Sequence, residues 1–97
     1  MKGKLKMIKF ARIDCDKGCV AYFAGTSLDA IRKDLPNFSK EYDLSTLTEI
    51  DSEEIKQLCK NGWGEHGAER GYYRTLCAVL SVDRGTESFC IDHLAKK

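Results

Sequence analysis

The chain has 97 residues, 42% of them hydrophobic and 32% charged, and its 16 Lys and Arg nearly balance 15 Asp and Glu to leave a formal net charge of +1. This length and apolar content predict one compact domain over 1–97 with a modest core, and exclude a disordered chain or a fold built around a large enclosed pocket. Near-neutral charge also argues against direct nucleic-acid binding, which needs an excess of phosphate-neutralising Lys and Arg.

The first residues, Met1-Lys2-Gly3-Lys4-Leu5-Lys6, lack the apolar stretch of a secretory signal, and the longest apolar run, Cys19–Ala24, is far too short to span a bilayer. No membrane association is expected, and the expected location is the cytoplasm. Residues 7–24 then read as a β-hairpin turning at Asp16-Lys17-Gly18. Strand alternation groups Ala11, Ile13, Cys15, Cys19, Ala21 and Phe23 on one face, and Phe10, Arg12, Asp14, Val20 and Tyr22 on the other.

Thr26-x-x-Asp29 reads as a capping box opening a helix over about 27–35, with Leu28, Ile31 and Leu35 on one stripe and Pro36 as its stop. Segment 37–50 is ambiguous between a short edge strand and an irregular linker, because Leu44, Leu47 and Ile50 are spaced as in a helix while Ser45–Ile50 has strand propensity. Asp51-x-x-Glu54 is a second capping box, opening a helix over about 52–61 that ends at Asn61-Gly62. Tyr72–Val82 alternates apolar groups and is followed by a second Asp-basic-Gly sequence, Asp83-Arg84-Gly85, so a second hairpin is predicted over about 72–91. The predicted fold is α+β: an antiparallel sheet of two hairpins with two short helices packed on one face.

Segment 60–74 concentrates four of the eight glycines, the single Trp, one of the two His, and Tyr72, Tyr73, Arg70 and Arg74. Trp, Tyr and Arg are the side chains that anchor interfaces, and a glycine-rich segment carrying them is expected to contact a partner. Residues 41–54 hold Glu41, Asp43, Glu49, Asp51, Glu53 and Glu54 with no base among them, an acidic strip able to meet a basic surface. The expected binding set is therefore Trp63, His66, Arg70, Tyr72 and Arg74 with those six acids, and the expected partner is another protein, met at a basic surface.

No catalytic constellation, cofactor motif or metal site is expected. Gly62-x-Gly64-x-x-Gly67 matches a dinucleotide fingerprint in letters only, since it follows a helix instead of leaving a strand. Cys59 with His66, or Cys90 with His93, lies on an apolar stripe without a third orienting group. Five cysteines is an odd count, which favours reduced thiols; Cys15-x3-Cys19 with Cys90-x2-His93 offers the Cys3His complement of structural zinc, but at loose spacing.

A small α+β chain with segregated charge and no catalytic motif resembles the small phage and mobile-element inhibitors of the anti-CRISPR kind. That resemblance implies a non-enzymatic protein that blocks a host nucleic-acid-handling complex by binding it. The closing stretch, Gly71-Tyr-Tyr-Arg-Thr-Leu-Cys77, Asp83 and Phe89-Cys-Ile-Asp-His-Leu-Ala-Lys-Lys97, is similar to the last strands of RelE-like and HigB-like toxins. This second resemblance implies an RNA-binding or RNA-cleaving toxin of a toxin–antitoxin pair, with Arg70, Arg74, His93 and Lys96 as its RNA-contacting or acid–base groups.

Overall fold

The first hairpin forms as its alternation predicts. In the computed structural model, which describes residues 8–15, 18–37, 41–61 and 67–95, β1 (Lys9–Cys15) pairs antiparallel with β2 (Cys19–Gly25). The register sets Ala11 against Phe23, Ile13 against Ala21 and Cys15 against Cys19. Asp16 and Lys17 lie outside the described residues, and Gly18 leaves the turn at φ +73, a conformation glycine adopts at little cost.

α1 (Leu28–Asp34) is capped by Ser27, whose Oγ accepts from the Ala30 amide at 3.0 Å, so the cap sits one residue beyond the Thr26 expected from the sequence. Serine and threonine cap equally well in kind, and this start turns Ile31 and Leu35 onto the sheet. A 3₁₀ turn over Leu35–Asn37 follows. The ambiguous segment becomes an edge strand, β3 (Tyr42–Ile50), paired with β1. Its register runs Phe10 to Ile50 and Arg12 to Thr48, then jumps to Asp14 with Asp43, so residues 44–47 bulge against Ile13 alone. Asp43 holds the bulge by accepting from the Ser45 amide at 3.1 Å and the Ser45 hydroxyl at 2.6 Å. An irregular edge of this sort discourages pairing with a foreign strand.

α2 (Ser52–Asn61) opens as predicted, with Asp51 Oδ1 accepting from the Glu54 amide at 2.9 Å. The predicted second hairpin does not form. Residues 67–83 are a helix, α3 (Gly67–Asp83), and β4 (Ser88–Ala95) pairs with β2 instead of with 72–82. The physical reason is visible in the residues α3 buries: Gly71, Thr75, Ala78 and Val82 recur at helical spacing and are small, so the helix lies close against the strands. The strand-like alternation of Tyr72–Val82 came from interleaving Ala78 and Val82 of this buried stripe with Leu76 and Leu80 on the outward side of the helix. Asp83-Arg84-Gly85 is accordingly a helix terminus: Gly85 has φ +119, its amide donates to Val82 O at 3.1 Å, and the Thr86 amide donates to Ser81 O at 3.0 Å.

The sheet is four-stranded and antiparallel in the order β3-β1-β2-β4. The fold class is α+β as expected, but the helices cover both faces and not one. On one face Ala11, Ile13, Cys15, Ala21 and Phe23 cluster with Ile31 of α1 and with Leu35. On the other, Tyr22, Ala24, Ile50, Ile91 and Leu94 cluster with Ile55 of α2 and Ala78 and Val82 of α3. No helix among the described residues is long and apolar enough to cross a membrane.

Candidate functional site

α3 is apolar on both sides. Its inner stripe meets the sheet, while Tyr72 (55% exposed), Tyr73 (58%), Leu76 (38%) and Leu80 (44%) face outward. Among the described residues only five large hydrophobic side chains are exposed, so four of the five lie on this one helix. Scattered exposed apolar groups are ordinary, but these gather on one element. Between α2 and α3 this surface sinks into a groove of about 440 Å³, floored by Ile55, Thr75 and Val79 and walled by Tyr72 and Leu76. Lys56 and Lys60, one turn apart on α2, form its other wall. Both lysines are exposed, and among the described residues no carboxylate pairs with either.

Among the described members of the binding set read from the sequence, Tyr72 alone lies in this groove. Trp63 and His66 lie outside the described residues. Arg70 and Arg74 stand on α3, not on a loop or strand. Arg74 turns onto β4, donating from Nε to Ile91 O at 2.6 Å and from Nη2 to Cys90 O at 3.2 Å, where β4 bulges between its pairings with Phe23 and Tyr22. Arg70 Nε lies 3.5 Å from Oδ2 of Asp92, a buried carboxylate whose Oδ1 accepts from the His93 amide. The acidic strip is largely occupied within the molecule. Glu49 pairs with Lys9 at 3.5 Å, Glu54 with Arg12 at 2.8 Å, Glu53 accepts from Gln57 at 3.1 Å, Asp51 caps α2 and Asp43 holds the β3 bulge. Glu41 is exposed just before β3.

A second cluster lies on the α1 face. Small residues on β1 and β2 allow two long side chains from the outer strands to meet above them, and Tyr42 Oη reaches His93 Nε2 at 2.6 Å. Both rings stack edgewise on Phe23, with centroids at 6.0 and 6.3 Å. His93 Nδ1 contacts Cys90 Sγ at 3.5 Å. This is the Cys–His pair recognised in the sequence, but its chemistry is that of a core contact. Burial pushes the Cys90 thiol up to about 12, outweighing the Arg74 guanidinium that opposes it, and burial likewise raises the Tyr42 phenol far above its usual value. A thiol raised this far is a poor nucleophile near neutral pH. The four residues of the zinc reading share one face of the sheet: Cys15 and Cys19 face each other at one end of the hairpin, His93 stands against Ala21, and Cys90 stands against Phe23, four residues from Cys19 along β2. Among the described residues no group of three metal-capable side chains converges.

Of the residues the toxin resemblance implies, Arg70 and Arg74 are on α3, and His93 contacts Phe23 on the opposite face of the sheet. Lys96 lies outside the described residues. No family model, curated protein or solved structure matches the chain. Sequence reasoning overlooked Leu76, Leu80, Lys56 and Lys60. The signal was present in the four-residue spacing of Tyr72, Leu76 and Leu80, beside the helical stripe of Gly71, Thr75, Ala78 and Val82.

Proposed function

We propose that this protein is a non-enzymatic protein-binding module whose partner covers the outward side of α3 and the groove it makes with α2. The observation that carries this reading is the concentration of Tyr72, Tyr73, Leu76 and Leu80 on one exposed helix face. Aromatic and aliphatic anchors beside a pocket are what the centre of an interface requires, and water is a poor cover for them. The buried neutral thiol of Cys90 and the internally bonded Arg74 support the non-enzymatic part.

The test is site-specific photocrosslinking in host lysate. A photoreactive phenylalanine at Leu80 is expected to give discrete adducts that vanish when Leu76→Asp is added, while the same probe at Lys33 on α1 gives none of them. Circular dichroism must find Leu76→Asp folded, which is expected because that side chain already faces water in part. Identical adducts from both positions, or none from either, overturn the reading.

A further inference from the structure

The α2–α3 groove has two properties that together select the kind of segment it takes. Its floor and one wall are apolar, and its other wall carries Lys56 and Lys60 at i and i+4, with no described carboxylate to neutralise them. We propose that the groove receives an acidic amphipathic helix of the partner, its apolar ridge against Tyr72, Leu76 and Val79 and a pair of carboxylates one turn apart against the two lysines. This rests on the protein-binding reading above and names the chemistry of the partner.

Three alternatives fit less well. A second copy of the chain meeting through a two-fold axis brings the same lysines to the shared contact, placing like charge around an apolar centre. An acyl chain fills the groove but leaves Tyr73 and Leu80 uncovered, whereas those residues continue the apolar surface along α3. From Tyr72 to Leu80 the helix rises about 12 Å, roughly two turns, which matches a ridge at i, i+4 and i+8 on the incoming helix. A polyanion such as single-stranded nucleic acid satisfies the lysines but not the leucines.

Fluorescence anisotropy with synthetic labelled helices tests the proposal directly. Three peptides share a leucine ridge at i, i+4 and i+8 and differ in the flanking positions, which are Glu, Gln or Lys. The full chain is expected to bind the Glu peptide about tenfold or more tighter than the Lys peptide at low salt, with the margin shrinking as salt rises. Lys56→Glu with Lys60→Glu should reverse that order, and Leu76→Asp should weaken both peptides. Equal binding of the three peptides, or an order unmoved by the lysine substitutions, removes the acidic specificity while the crosslinking result stands by itself. No binding by any peptide overturns the helix-in-groove proposal. Sedimentation showing a dimer that Leu76→Asp dissociates assigns the groove to a second copy, and displacement of the Glu peptide by an oligonucleotide assigns it to nucleic acid; either overturns it.

Discussion

On the α1 side of the sheet, the covering helix ends in water-compatible groups: Asp29, Arg32 and Lys33 are exposed, with Asp29 and Arg32 joined at 2.6 Å. On the α3 side, the covering helix ends in Tyr72, Tyr73, Leu76 and Leu80. Both helices bury a stripe against the same strands, so the contrast does not arise from how well each face is closed. It arises from what each helix turns outward, polar groups on α1 and apolar ones on α3. The same division separates the polar chemistry. Tyr42, His93 and Cys90 satisfy one another on the α1 face, whereas Lys56 and Lys60 beside α3 have no described counter-charge.

The sharpest way to break this comparison is to truncate one side chain on each side. Phe23 is fully buried at the centre of the α1 face, where Tyr42 and His93 rest on its ring. Phe23→Ala is expected to cost about 3–5 kcal/mol in urea denaturation, since it removes a large apolar group and leaves a cavity. Leu76→Ala should cost under about 1 kcal/mol, because a side chain already partly in water loses little by being shortened. Comparable costs for the two would make the outer side of α3 part of the core and not a docking surface.

How much of this was legible in the sequence depends on whether a signal is local. The hairpin 7–24, the cap at Asp51 and the length of α2 follow from turn and cap chemistry within a few residues, and all three are in the fold. Asp83-Arg84-Gly85 was equally local and yet misassigned, because a glycine at positive φ reverses the chain after a strand or a helix alike. What precedes it was decided by period, and 72–82 satisfies two periods at once: Leu76, Ala78, Leu80 and Val82 alternate, while Gly71, Thr75, Ala78 and Val82 follow a helical stripe. Only the sheet, built from strands distant in sequence, chose between them. The outward row was missed accordingly, since a strand assignment puts Leu76 with Val82 on one face. Arg74 could not have been placed from sequence at all, as the carbonyls it holds lie where β4 bulges against β2.

The two glycines that ended those readings differ in a measurable way. Gly18 has φ +73 and Gly85 has φ +119, and a Cβ at either would meet nothing within 4 Å. Any cost of Gly→Ala is therefore backbone strain and not crowding. Gly18→Ala is expected to lose about 1 kcal/mol, the usual penalty of the left-handed region. Gly85→Ala should lose more, about 1–3 kcal/mol, because its φ lies beyond that region and alanine must disturb the α3 terminus to relieve it. Thermal melts of the two variants read the order, and a smaller loss at Gly85 would mean that the end of α3 relaxes without strain.

The smallest expected effect concerns the thiols, and it contrasts the two sides once more. Cys90 is raised by burial from an ordinary value of 9.0 to about 12, with the neighbouring Asp92 and Asp34 carboxylates adding to the rise and Arg74 opposing it. Between those values the unfolded chain releases a proton that the folded chain keeps, so the stability this thiol contributes is whole below pH 9 and declines as pH rises through the window. At pH 10 the loss from this one group should be about 1 kcal/mol relative to pH 8. Tyr42 and Tyr22 are shifted in the same direction, so the parent protein keeps losing stability at still higher pH. Cys90→Ala removes only the share of the thiol: whatever its stability at pH 8, its decline from pH 8 to 10 should be shallower than that of the parent by about the same 1 kcal/mol. Iodoacetamide labelling at pH 8, read by peptide mass, should modify exposed Cys77 on α3 before half-buried Cys90. Parallel declines for parent and Cys90→Ala, together with equal labelling of the two thiols, would place Cys90 in water and undo the closed Tyr42–His93–Cys90 contact.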